Sequence, residues 1–161
     1  MNALDSFLIE YSDSSFTNPH EVAQGITPPD RQGQFTHMGA QYWGFETDRH
    51  IGTETYPTQQ HFRFRPNKGH FLCLGLKTRS VVTQIDIDTR WFTGNHVPEV
   101  TVILEDADDQ VIVLSHQTLR PNEPHQFRIP PTQAERCRVL CHQEGGIARI
   151  ALFGEAVTNP V

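Results

Sequence analysis

The stretch that decides the fold, residues 85–99, reads IDIDTRWFTGNHVPE. Its first four residues alternate isoleucine with aspartate, which is the period of a strand that buries one face. The run Thr-Gly-Asn-His at 93–96 then ends this strand, because such residues turn the chain and offer polar atoms. Pro98 blocks a helix, and residues 100–104 return to β-branched, strand-forming side chains. A strand edge therefore presents Asp88 together with a polar turn, a usual setting for functional groups.

Length and composition indicate one globular domain. The chain has 161 residues, 37% of them hydrophobic, with a net charge of −6. The acidic balance argues against nucleic acid as a partner, and the chain has no apolar run of the ~20 residues that a membrane helix needs. Because no basic segment precedes the apolar residues 7–9, we expect no secretory signal and a cytoplasmic location. Three cysteines, Cys73, Cys137 and Cys141, are predicted to be buried reduced thiols.

Short strand-like segments separated by Pro, Gly, Asn and Asp recur along the chain. We predict strands at 71–76, 82–88, 100–104, 111–115, 126–129, 137–142 and 147–153, and one helical turn at 134–136. Eleven prolines leave no room for a long amphipathic helix. The pattern predicts an all-β fold, an antiparallel jelly-roll β-sandwich of ~8 strands.

A single domain is expected over residues 1–161. Residues 1–33 are interpreted as an ordered but irregular arm, in which residues 4–11 form either a short strand or a helical turn. Residues 34–155 are interpreted as the core of the sandwich.

Three motifs resemble those of the allantoicase family. They are FTGN at 92–95, EGGIAR at 144–149 and GFETDR at 44–49, and the likeness extends from Tyr11 to Glu155. Members of this family hydrolyse allantoate to ureidoglycolate and urea in purine breakdown. The resemblance therefore implies a hydrolase of the amidinohydrolase type with a small ureido substrate. It also implies a galactose-binding-like jelly roll.

Two departures from the family pattern leave other functions open. Family proteins usually carry two such domains in tandem, and a family Gly-His-Asp-Trp-Cys run appears here as GHFLC at 69–73, which keeps the histidine but loses the Asp-Trp pair. The alternatives are a non-catalytic jelly-roll module that binds a small polar ligand or glycan, and a structural component of an oligomer. A lone domain is also expected to bury the surface where a tandem copy docks, so we predict a homo-oligomer.

The resemblance and the chemistry of allantoate together assign roles to site residues. An arginine would bind the substrate carboxylate, and hydrogen-bond acceptors would bind the ureido N–H groups. An acid or base is needed for proton transfer to or from water. The predicted catalytic residues are Glu46, His70, His96 and Glu144, and the predicted substrate-binding residues are Arg49, Thr93, Gly94, Asn95 and Arg149.

Several of these residues have structural alternatives. Gly94 and the Gly145-Gly146 pair serve either turn geometry or ligand contact. If Gly94 has a positive φ, Gly94→Ala is expected to cost about 1 kcal/mol or more in stability. Arg149 either binds substrate or pairs with Asp86 or Asp88.

No metal-binding motif is present, so no ligand set is assigned. A divalent ion such as Mn2+ stays possible if His37, His70, His96 and Glu46 converge in space. Convergence is also required for catalysis, because the strand ends of a jelly roll lie at two opposite rims. A single site requires Glu46 and His96 to share one rim.

Overall fold

The computed structural model describes residues 3–13, 18–30, 35–36, 39–40, 43–47 and 70–157. In chain order its elements are β1 (Ser6–Tyr11), a 3-10 helix (Pro19–Ala23), β2 (Phe35–Thr36), β3 (Gly39–Ala40), β4 (Phe45–Glu46), β5 (His70–Asp88), β6 (Glu99–Asp106), β7 (Asp109–Thr118), β8 (Pro124–Cys141), β9 (Gly146–Ile147) and β10 (Arg149–Ala156). The strands pair antiparallel, which confirms the predicted all-β jelly-roll class. Within the described ranges, no helix is long and apolar enough to cross a membrane.

Two long strands, β5 and β8, organise the sandwich. They pair along their whole length, with register shifts between Gly75 and Ser80 and between Val82 and Gln84. On its other edge, the first half of β5 pairs with β1 and the second half pairs with β10. The sheet continues from β8 through β6 to the edge strand β7. The two irregularities allow β5 and β8 to pass from one layer of the sandwich to the other.

One main core fills the space between the layers. Leu72 and Leu74 from the first half of β5 share it with Ile85 and Ile87 from the second half, and Val102 joins from β6. Each of these side chains is fully buried. The alternation of β5 thus points both halves of one strand into the same core. The three cysteines are buried free thiols, and burial raises the pKa of each above its usual value.

The passage of β5 between layers brings both of its ends to one rim. His70, at the start, lies opposite Cys141, whereas Asp88, at the end, lies opposite Arg149. Only the short segment 142–148 separates Cys141 from Arg149, and the N–H of Ala148 donates to the Asp88 carbonyl over 2.7 Å. We call the edge formed by residues 88–99 and 141–148 the upper rim.

The structure decides one open alternative and corrects two interpretations. Residues 6–11 of the predicted irregular arm form strand β1, so the strand alternative applies there. The predicted helical turn at 134–136 is wrong, because Ala134 lies in β8 opposite Ser80. Pro130 and Pro131, expected to end a strand, lie at the register shift of β8, where no ladder N–H is needed. Pairing with β5 therefore overrides the local signals.

Candidate active site on the upper rim

Gly146 lies between the two segments that the sequence singled out. Glu46 is its antiparallel partner on one side, and His96 forms a parallel bridge with it on the other. The N–H of Gly146 donates to the Asn95 carbonyl over 2.8 Å, and the N–H of Val97 donates to the Gly146 carbonyl over 3.0 Å. Two strand spacings separate the backbones of Glu46 and His96, or about 10 Å. The two residues thus share the upper rim.

The Glu46 side chain contacts the polar turn directly. Its carboxylate belongs to a residue only 2% exposed, and Asn95 Nδ2 donates to Glu46 Oε2 over 2.8 Å. Asn95 therefore holds Glu46 with its side chain and Gly146 with its carbonyl. An ionised or polar carboxyl group removed from water requires such partners.

Thr47 joins the glycine turn to β4 by two hydrogen bonds. Its N–H donates to the Gly145 carbonyl over 2.9 Å, and its hydroxyl accepts from the Gly145 N–H over 3.0 Å. Gly145 has φ 151°, and a Cβ there would lie 2.4 Å from the His96 carbonyl oxygen. At Gly146 a Cβ would lie 2.1 Å from the Phe92 ring. Turn geometry and close packing thus require both glycines.

Gly94 differs from this pair: its φ is not positive, which removes the reason to expect a stability cost for Gly94→Ala. The described glycines with positive φ are Gly44 and Gly145, and a Cβ on Gly94 would meet no atom within 4 Å. In this loop Trp91 takes the left-handed conformation, with φ 74°. Its N–H donates to Asn122 Oδ1 over 2.8 Å, so the chain reverses before it reaches Gly94.

A small apolar cluster supports the turn from below. Trp43, Phe92 and Ala148 form it, separate from the main core, and each is nearly or fully buried. This cluster fixes the backbone on which Glu46 and Asn95 depend.

His70 lies at the start of β5 with a carboxylate partner. Its Nδ1 is 2.8 Å from Asp13 Oδ2, and the two side chains are 26% and 12% exposed. The Ser12 hydroxyl accepts the N–H of Phe71 over 2.9 Å, which anchors this segment to β5. A carboxylate in this position orients an imidazole ring. Sequence reasoning missed Asp13 as a site residue, although it quoted this segment for the family resemblance.

His96 directs its ring toward the connection between β7 and β8. Its Nε2 lies 3.1 Å from the Leu119 carbonyl oxygen. Because a carbonyl only accepts, Nε2 is the donor in this contact. Glu144 is half-buried in the segment that follows β8.

Among the described residues, no hydrogen bond joins Arg149 to Asp86 or to Glu46. Its Nε donates to the Gln24 carbonyl over 3.2 Å, and with Lys77 it lines an open cavity of about 400 Å³ beside β1 and the 3-10 helix. Asp88 instead has Arg90 as its ion-pair partner, with the two groups 3.5 Å apart. Burial raises the pKa of Asp88, although the hydrogen bond from Arg90 and the nearby Arg149 charge oppose that shift.

The structure thus brings together Glu46, Asn95, His96 and the turn that leads from Glu144, with His70 on the same rim. Thr93 and Gly94 are exposed at the tip of the neighbouring loop. Arg49 and His37 lie outside the described residues.

Glu21 was missed by sequence reasoning. This buried residue accepts the Gly44 N–H through Oε1 over 3.3 Å and so fixes the backbone that leads into β4.

The suggested metal ligands that the structure describes do not gather into one group. Within the described ranges, Glu46, His70 and His96 do not present ligand atoms close enough to share an ion. The observed contacts of His70 with Asp13 and of His96 with Leu119 account for this.

A family model, the allantoicase repeat, matches residues 1–157. The chain belongs to the allantoicase family. An allantoicase of Neurospora crassa is 27% identical over 172 residues, which cover 96% of this chain and 45% of that protein. A probable allantoicase of Schizosaccharomyces pombe is 30% identical, with the same coverage of 96% and 45%. The chain thus spans less than half the length of these relatives.

Solved structures agree on the fold. The crystal structure of an allantoicase from Saccharomyces cerevisiae matches with a TM-score of 0.69 at 19% identity, over 96% of this chain and 43% of that one. A CBM32 domain of a Clostridium perfringens family 31 glycoside hydrolase matches with a TM-score of 0.64 at 12% identity, over 95% of both chains. Family and jelly-roll fold were both predicted from the sequence and are confirmed.

Proposed function

We propose that this domain is an allantoicase-type hydrolase acting on allantoate or a related ureido compound. The observation that carries the proposal is the buried Glu46 carboxylate, held by the Asn95 amide at 2.8 Å between two family motifs. A fixed carboxylate shielded from bulk water accepts N–H groups of a planar ureido moiety or removes a proton from water.

The proposed reaction is a displacement at the carbon that carries both ureido groups. The oxygen of a water molecule forms a bond to this carbon, and the bond between the carbon and one ureido nitrogen breaks. One water proton passes to a carboxylate base, and another proton is delivered to the departing nitrogen. Urea and ureidoglycolate are the products, which balances allantoate plus water.

We assign the base to Glu46 and the acid to His70. The ring of His70 is held by Asp13, whose Oδ2 lies 2.8 Å from Nδ1, so its orientation is fixed for proton transfer. Glu144 is proposed as a second acceptor for ureido N–H groups. His96, whose Nε2 lies 3.1 Å from the Leu119 carbonyl oxygen, is the alternative group for proton transfer.

Binding of the substrate carboxylate is assigned to arginine. A guanidinium has five N–H donors, so Arg149 can hold the Gln24 carbonyl through Nε and still offer donors to a carboxylate. Arg49 is proposed for the same task on sequence grounds. The amide groups of Thr93, Gly94 and Asn95 are proposed to hold a developing oxyanion.

Urea release from allantoate and from ureidoglycolate, measured with and without Mn2+, tests this function. We expect release from at least one substrate, and a rate at least ~100-fold lower for Glu46→Gln with the fold retained. Glu155→Gln is the matched control, since Glu155 is exposed in β10 opposite Val81, at the far end of that strand. Equal rates for Glu46→Gln and wild type would overturn the assignment. Substrate binding without turnover would instead favour the non-catalytic binding module.

A further inference from the structure

Three potential metal ligands meet on the upper rim outside the proposed catalytic group. They are Glu99 at the start of β6, His116 near the end of β7 and His142 directly after β8. One ligand atom of each residue lies within 4.8 Å of the other two. The three residues come from different strands, so no local sequence motif announces them.

The backbone at His116 is bent in a way that aims its side chain into this group. His116 has φ 49°, in the left-handed region that non-glycine residues rarely adopt. The pairing of β6 with β7 shifts register at this point, where Val100 faces Gln117 but Val102 faces Leu114. Such a bulge redirects a side chain. The result is His116 Nδ1 at 3.2 Å from Glu99 Oε2.

Thr101 contacts both histidines. Its Oγ1 accepts the backbone N–H of His116 over 3.0 Å and lies 2.7 Å from the ring atom Nε2 of His142. The hydroxyl oxygen has two lone pairs, so it can accept from both groups, and Nδ1 of His142 then keeps its lone pair. The two rings stack with centroids 4.3 Å apart and 13° between their planes. A hydroxyl or carbonyl partner on the second ring nitrogen is the usual support of a metal-bound histidine.

We propose that Glu99, His116 and His142 bind one divalent transition-metal ion of the Zn2+ type. Two imidazoles and one carboxylate suit Zn2+, Ni2+, Co2+ or Cu2+, whereas Mg2+ and Ca2+ prefer oxygen ligands alone. The side chains of His116 and Glu99 are 65% and 37% exposed, so water can complete the coordination. The ion would link the start of β6 and the ends of β7 and β8. Because the ion binds the folded protein and not the unfolded chain, it would stabilise the folded protein.

This inference is independent of the proposed hydrolase, because none of the three ligands has a role in that reaction. The site nevertheless adjoins it in sequence. Glu99 follows His96 by three positions, and His142 precedes Glu144 by two.

Calorimetric titration of the metal-free protein with Zn2+ tests the site, with Mg2+ as the comparison ion. We expect one Zn2+ per chain, a higher Tm in its presence, and no binding of Mg2+. His116→Ala and Glu99→Gln should each weaken Zn2+ binding at least ~10-fold, and Thr101→Val should weaken it by about 10- to 100-fold through loss of orientation.

The matched control is His20→Ala, which removes an exposed imidazole on the 3-10 helix, away from the cluster. It should bind Zn2+ as the wild type does. Circular dichroism confirms that each variant is folded before titration. The proposal is overturned if the wild type binds no Zn2+, if His116→Ala retains full affinity, or if His20→Ala loses as much affinity as His116→Ala.

Discussion

Asn95 and Glu46 are 49 positions apart in the chain, yet the amide of one donates to the carboxylate of the other over 2.8 Å. The same asparagine accepts the Gly146 N–H through its backbone carbonyl over 2.8 Å. One side chain and one carbonyl thus join the three family motifs. The upper rim depends on this residue for its geometry.

Asn95→Ala should release the Glu46 carboxylate from its present orientation. Under the proposed function, misplacement by about 1 Å costs up to ~100-fold in rate, so we expect kcat to fall by about 10- to 100-fold. The lost hydrogen bond should also reduce the free energy of unfolding by about 1 kcal/mol. Steady-state urea release and guanidinium denaturation measure the two effects. Gln143→Ala, an exposed neighbour, should change neither; an unchanged rate for Asn95→Ala would show that this bond is only structural.

Gly146→Ala and Gly94→Ala should have very different effects on stability. The new methyl group at 146 would overlap the Phe92 ring at 2.1 Å, and we expect a loss of about 2 kcal/mol or more. At Gly94 nothing lies within 4 Å and φ is not positive, so the change should stay within about 0.5 kcal/mol. Guanidinium denaturation of both variants checks this. Similar losses at both positions would contradict the described turn.

Glu105 should contribute stability that depends on pH. Burial alone raises its pKa, but Arg138 at 3.2 Å, Arg136 at 3.1 Å and Gln110 outweigh burial and lower it below the usual value of 4.5. A lowered folded-state pKa means that this stability is present above about pH 4.5 and is lost as pH falls through the folded-state pKa.

Glu105→Gln should therefore reduce the free energy of unfolding at pH 7 by about 1–3 kcal/mol, because two arginines lose their charged partner. The variant should also lose less stability than wild type between pH 5 and pH 3. Thermal unfolding across this range measures both, with exposed Glu155→Gln as the control. A parallel pH dependence for Glu105→Gln and wild type would refute the assignment.

The predicted homo-oligomer stays a prediction, and the edge strand β1 offers a surface for it. Phe7 and Ile9 are 45% and 47% exposed, and both side chains lie over Gly75 on one face of the sheet. Uncovered apolar edges of this kind tend to pair with another chain. We expect light scattering to show at least a dimer, and Ile9→Lys to shift it toward monomer. Ile26→Lys, at a 50% exposed position, should not. A clean 18.3 kDa monomer at all concentrations would contradict the prediction.

The sequence by itself determined the fold class and the family. The alternation at 85–88, the β-branched segments and the many proline and glycine turns are local signals, and burial of one strand face explains them. The family motifs were equally readable, since each is a short continuous run. Glu46, Asn95 and the glycine pair could therefore be singled out before their contacts were known.

Only the tertiary structure decided which residues meet. Strands β5 and β8 continue through positions that looked like breaks, because pairing along two long neighbours outweighs local propensity. Because β5 is continuous, its last residue, Asp88, lies on the same rim as its first residue, His70. The Glu99, His116 and His142 group likewise depends on a bulge between β6 and β7. Register and bulges are set by all the strands together, so a local pattern reports which face of a strand is buried but not which distant side chain lies opposite.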